Sequence, residues 1–153
     1  MGKIELLCLG TGDAESAIYE NIASTSFALL LDGYPVLLVG AGPGSLRAVS
    51  HYAHLVPECI LLFNASLEQV NEISALVLTE TNARRHIRIF APRDVCSFIA
   101  ELLRLQLVGH DIPPECVSLI SLPVGAAGGE VESYSLVHDF SVMLHPAATS
   151  ATT

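Results

Sequence analysis

Phe27-Ala-Leu-Leu-Leu-Asp-Gly-Tyr-Pro-Val-Leu-Leu-Val-Gly-Ala-Gly-Pro-Gly44 sets two short apolar runs on either side of Asp32-Gly33 and then breaks into a glycine-rich loop. Asp-Gly between such runs is a strong hairpin signal, because both central residues of the tight turn need positive φ. The spacing predicts a strand over 25–31, a turn over 32–35 and a returning strand over 36–39. Neither run approaches the roughly 18 apolar residues of a membrane span. An antiparallel pair therefore opens the fold.

Upstream, residues 3–9 read as another strand, with Ile4, Leu6 and Cys8 on one side, and Leu9-Gly-Thr-Gly12 ends it in a turn. Residues 13–24 are small and polar with little period, which suits a surface loop. Downstream the rhythm becomes strand, loop, helix. Residues 45–55 predict a helix with Leu46, Val49, Tyr52 and Ala53 on one stripe, and 59–63 a short buried strand. Ser66 followed by Gln69 reads as a capping box opening a second helix, whose buried face is Leu67, Val70, Ile73, Ser74 and Val77. After a strand over 86–90, Pro92 suits the first turn of a helix carrying Val95, Phe98, Ile99, Leu102, Leu103 and Leu105 inward. Strands over 117–122 and 133–137 flank the glycine-rich stretch Gly125-Ala-Ala-Gly-Gly129, and one more strand begins at Asp139. The order is mixed α/β, a sheet with outer helices, and not an all-parallel array. We expect one domain over 1–146 and an irregular tail over 147–153.

The chain has 153 residues, enough for one core, yet 51% are hydrophobic and only 15% charged. That is more apolar surface than a domain of this size normally hides. A mean hydropathy of +0.52 excludes a disordered chain. Lys3 and Glu5 precede the first apolar run, and Gly10, Gly12 and Asp13 break it before it reaches the length of a secretory signal. Cys8, Cys59, Cys96 and Cys116 are isolated among apolar neighbours and read as reduced core thiols, which points to an intracellular, cytoplasmic protein. The net charge of −9 argues against a broadly basic nucleic-acid surface. Arg84, Arg85, Arg88 and Arg93 nevertheless lie in an acid-free stretch, so they are the candidates for a phosphate or RNA contact, against the simpler reading of a charged strand edge.

Gly40-Ala-Gly-Pro-Gly44 follows a strand and opens a helix, where backbone N–H groups can hold a phosphate. Pro43 removes one donor, and the third glycine of a dinucleotide fingerprint would fall at Ser45, so a structural turn is the better reading. His51 and His54 share a helix face but read as solvated surface positions rather than metal ligands, and His138-Asp139 could orient a base but has no nucleophile beside it, so a turn between strands explains it as well. No complete catalytic set is legible.

Leu9-Gly-Thr-Gly12, Asn21-Ile-Ala-Ser-Thr-Ser26, the Asp32-Gly33 hairpin, the Gly40–Ser45 loop and the strand running into Asn64 together resemble the N-terminal half of the metallo-β-lactamase fold, an αββα sandwich. The branch they resemble is that of ribonuclease Z and related phosphodiesterases. The similarity continues through Ile87-Arg-Ile-Phe-Ala-Pro92 to Phe98. In that family an H-x-H-x-D-H motif binds two divalent cations that activate water for attack on phosphorus. The corresponding positions here are Asn64, Ser66, Glu68 and Gln69, and the family's loop aspartate and glutamate correspond to Gly40 and Pro43. Amides and a hydroxyl are poor zinc ligands, and one carboxylate cannot hold a catalytic ion alone. His145 stands where a later ligand would be, as a possible remnant.

The resemblance implies a scaffold that has lost hydrolysis and serves in binding or assembly, with no cofactor. The alternative is a metal-dependent phosphodiesterase or tRNA 3′-processing ribonuclease, completed by a missing C-terminal half or another chain and then requiring zinc. Half a sandwich leaves the inner face of its sheet uncovered, which would account for the apolar excess and implies a homodimer or larger assembly.

Overall fold

The structure, a computed structural model, describes residues 2–52, 56–110, 114–123, 132–135 and 141–144. The chain divides into two compact units, Met1–Leu122 and Pro123–Thr153.

The first unit is built on a six-stranded sheet. β1 (Ile4–Gly10), β2 (Ser26–Leu31) and β3 (Tyr34–Val39) form an antiparallel meander, and β4 (Cys59–Leu61), β5 (Ile87–Pro92) and β6 (Val117–Leu122) continue from β3 in parallel. The β2–β3 turn is the predicted one: Asp32 and Gly33 both take positive φ, 50° and 82°. The sheet order follows the chain order, so every crossover from β3 onward steps the same way. Since parallel crossovers are right-handed, their helices must then fall on one face. These helices are α2 (Ser45–Tyr52), the short α3 (Leu67–Val70) with α4 (Ile73–Asn82), and α5 (Arg93–Gln106).

The two faces are read directly from the register. On the helix side one rung crosses all six strands as Leu7, Ala28, Leu38, Ile60, Ile89 and Leu119, and packs with Val49, Ile73, Leu76, Val77 and Ile99 into the core. On the opposite side one rung runs Leu6, Leu29, Leu37, Cys59, Arg88 and Ser118, and the next Cys8, Phe27, Val39, Leu61, Phe90 and Ile120. The second face is thus almost as apolar as the first. Its residues on β4 and β5 are largely buried, while at the β1 edge Ile4 and Leu6 are 58% and 71% exposed.

Several local expectations are corrected. Residues 14–19, expected to be loop, form a one-and-a-half-turn helix, α1 (Ala14–Tyr19), because the Asp13 side chain accepts a hydrogen bond from Ser16 N at 2.8 Å. α1 has no fully buried residue, so no hydrophobic period could announce it. Ile4, Leu6 and Cys8 do share a side, but Leu7 and Leu9 are the β1 residues that meet the helix-side core. In α2 the buried residues are Ser45, Ala48 and Val49, and Tyr52 is exposed; Ala53 lies outside the described residues. The helix after Ser66 breaks at Asn71 and Glu72, and Leu67 is exposed. Phe98 and Leu105 also face outward on α5, where Val95, Cys96 and Ile99 carry the contact. Pro92 ends β5 and stands as the N-cap of α5, one position before the first helical residue.

In the second unit, β7 (Glu132–Ser135) pairs antiparallel with β8 (Ser141–Leu144), from Glu132 opposite Leu144 to Ser135 opposite Ser141. The glycine-rich stretch 125–129, His138-Asp139, His145 and the tail 147–153 lie outside the described residues.

Candidate functional site

Four of the five stretches that carried the resemblance meet at one end of the sheet, where β1, β3 and β4 finish and β2 begins, and the Asp32-Gly33 hairpin lies at the opposite end. Each is held by backbone hydrogen bonds to another. Gly12 N donates to Ala23 O and Thr25 N returns to Gly12 O, which ties the Leu9–Gly12 turn to the 21–26 stretch. Gly10 is required there, because a Cβ would collide with the carbonyls of Ala23 and Ser24. Ser24 N donates to Pro43 O at 2.9 Å, and the Ser45 hydroxyl reaches that of Ser26 at 3.3 Å. Ser24, Ser26 and Ser45 are all fully buried, and Ser24 Oγ has no protein partner.

The glycine loop closes just as tightly on α3. Gly40 N donates to Leu61 O, Ala41 N to Gln69 O, and Glu72 N to Ala41 O. Gly40 has φ of +79°, and a Cβ on Gly42 would strike the backbone carbonyl of Glu68. The Glu72 carboxylate then spans the start of α2: Oε1 accepts from Gly44 N and Oε2 from Leu46 N, both at 2.7 Å. A helix start with free N–H groups attracts anions. Here a carboxylate of the chain already holds it, and the phosphate cradle considered for Gly40–Gly44 is a closed structural turn. Sequence reading missed Glu72, since its partners lie 26 and 28 residues away.

The four positions of the family's metal motif do come together, on the turn from β4 into α3. Asn64 Oδ1 accepts from Ser66 N at 2.9 Å, an Asx turn that opens α3. Gln69 Oε1 accepts a long bond, 3.4 Å, from Phe63 N. Ser66 is the N-cap by position, yet its side chain makes no capping bond, and the expected Ser66–Gln69 capping box is not formed because Gln69 turns back to the loop. The donor set is two amides, a hydroxyl and the Glu68 carboxylate. Among the described residues, no three His, Cys, Asp or Glu side chains converge where they could hold an ion. Two divalent cations need several carboxylates or imidazoles, so this turn does not fit them.

The arginines do not form one patch. Arg85 makes a bidentate pair with Glu80, at 2.5 and 2.8 Å, and Glu80 is only 3% exposed. This contact raises the guanidinium's already high pKa further. Arg88 lies on the apolar sheet face, 3.8 Å from Glu58. Arg84 sits in a left-handed turn before β5, and Arg93 begins α5 at the other end of that strand, about 16 Å away by strand rise. The described cysteines are free thiols. Burial pushes the Cys59 and Cys96 thiols up from the usual 9.0, so neither is an activated nucleophile.

No family model matches the sequence, and no curated protein is similar to it. Solved structures do match. One is the metallo-beta-lactamase fold protein YhfI from Bacillus subtilis, with 14% identity and a TM-score of 0.53, over 92% of this chain and 55% of that one. Another is described as a new diphosphatase from the PhnP family, with 10% identity and a TM-score of 0.59, over 92% of this chain and 61% of that one. The chain therefore has the metallo-β-lactamase fold, as a mixed sheet with outer helices. It spans a little over half the length of these two structures. No described helix is long and apolar enough to cross a membrane.

Proposed function

We propose that this chain is a metallo-β-lactamase-fold protein of the ribonuclease Z-like branch that works by binding or assembly and not by hydrolysis. The observation that carries this reading is the turn from Asn64 to Gln69. Two of its side chains are spent on holding the loop, and its chemistry offers one carboxylate where two cations would need several. The exposed β1 edge of the apolar second face supports assembly, and we assign it to a second copy of this chain. The free thiols support an intracellular, cytoplasmic place for it. Metal analysis of the purified, dialysed protein tests the reading: no stoichiometric metal is expected, and one equivalent or more of retained zinc or manganese overturns it.

A second reading is favoured by the coverage of the matched structures, one of which is described as a diphosphatase. In it, the chain is part of a metal-dependent phosphodiesterase or tRNA-processing ribonuclease, and His145 joins zinc ligands supplied by a further segment or chain. Turnover of a bis-aryl phosphate ester or a tRNA precursor with added zinc, abolished by His145→Ala, would establish this reading at the expense of the first. An RNA contact through the arginines would show as affinity falling steeply with salt.

A further inference from the structure

We propose that the cleft between α2 and the 21–23 stretch is a binding site for a small aromatic anion, an aryl carboxylate or aryl phosphate. The cleft measures about 310 Å3, the lower end of the range for small-molecule sites and enough for one ring with its charged group. Leu9, Ala23 and Ala48 form an apolar floor, and Arg47, His51 and Tyr52 line the cleft from α2. Arg47 and His51 are four residues apart on the helix and so share a face.

Arg47 is the reason to expect an anion. Among the described residues its one bond is long, 3.5 Å from Nη2 to Asn21 O, and no carboxylate pairs with it. A guanidinium presents five N–H donors in a planar fork suited to carboxylate or phosphate. A second cleft, between α2 and α4, also contains an arginine, Arg85, but Glu80 neutralises it. The helix start contributes nothing to the attraction, because Glu72 already holds it.

The aromatic half of the ligand follows from the other walls. The His51 and Tyr52 rings meet edge to face, with centroids 4.7 Å apart and planes at 82°, and both line the cleft. Gly44, at φ of +82°, lets the start of α2 approach Ala23, where a Cβ would come within 3.1 Å of the Ala23 Cα. A flat ring against the small alanines with its charge at Arg47 uses every wall. The net charge of −9 disfavours anions over the surface at large, so binding at this cleft has to come from Arg47 and the apolar floor together.

The probes are phenyl phosphate, benzoate, inorganic phosphate and neutral benzyl alcohol, titrated into the whole protein and followed by amide NMR and calorimetry. Phenyl phosphate or benzoate should bind and shift the amides of Ala23, Ala48 and His51. Inorganic phosphate and benzyl alcohol should each bind at least tenfold more weakly. Arg47→Gln, an exposed change that should leave the melting temperature unaltered, should weaken the aryl anions at least tenfold, and Tyr52→Ala should weaken them severalfold. Aryl anions binding no better than phosphate or benzyl alcohol, shifts elsewhere on the protein, or affinity unchanged in Arg47→Gln would each overturn the proposal.

Discussion

Glu72 belongs to the break between α3 and α4, and its carboxylate fastens a helix almost thirty residues earlier in the chain. Hydrogen bonds to a charged group contribute more than neutral ones, about 1.5–3 kcal/mol each at most. Because Glu72 is half-buried, removing it leaves the Gly44 and Leu46 N–H groups poorly served. Glu72→Ala should lower stability by about 2 kcal/mol in chemical denaturation, and Glu72→Gln, which keeps the size and one acceptor, by less. A Glu72→Gln variant as stable as the wild type, beside a destabilised Glu72→Ala, would mean that the side chain acts by packing alone. The orphaned Ser24 hydroxyl, beneath the same loop, is the counterpart: a buried polar group that sequence gives no reason to expect.

At the scale of elements, α1 depends on one side chain. The hydrogen bond from Ser16 N holds the Asp13 carboxyl below its usual value of 3.8, so the charged form favours the helix. That contribution is complete above about 3.8, shrinks as the pH falls towards the lowered value and vanishes below it. The Ser16 amide should therefore shift and exchange faster in this acid window, and Asp13→Ala should show the acid-side behaviour at neutral pH. A Ser16 amide indifferent to both would detach α1 from its cap. The contrast between α1 and the β2–β3 hairpin shows what the sequence makes legible. Asp32-Gly33 states its turn chemistry locally, and the apolar runs on both sides repeat the message. α1 has no fully buried residue, so its local signals are the Asp13 cap and Glu15 in the first turn. The same division holds at the candidate site. The identities of Asn64, Ser66, Glu68 and Gln69 already speak against metal, whereas the Gln69 contact with the glycine loop and the separation of Arg84 and Arg85 from Arg93 exist only once β4 and β5 are placed. Helix faces were half legible: Val95 and Ile99 follow from period, but the exposure of Phe98 and Leu105 depends on how far the sheet extends beneath α5.

For the whole molecule, the second sheet face raises the question of association. Of its ten apolar positions across two rungs, Leu37, Cys59, Leu61 and Phe90 are buried, and the open part lies at the β1 edge, around Leu6 and Cys8. A dimer through this face should persist at micromolar concentration in light scattering. Leu6→Glu adds a charge at an exposed position and should yield a monomer with unchanged helix content. A wild-type monomer at that concentration would remove the dimer from the proposed function.

The strand order β1 to β6, identical in space and in sequence, bears on how the molecule is made. No strand has to be threaded between two that are already paired. Each adds to the edge left by its predecessor, and β2 and β3 are joined by a tight turn. A chain emerging from the ribosome N-terminus first can lay down its sheet in the order of synthesis, with a single growing edge at every stage. That edge passes from β3 to β4 to β5, each covered by its next neighbour as soon as the connecting helix has been made, which shortens the time any one of them is available to a foreign strand.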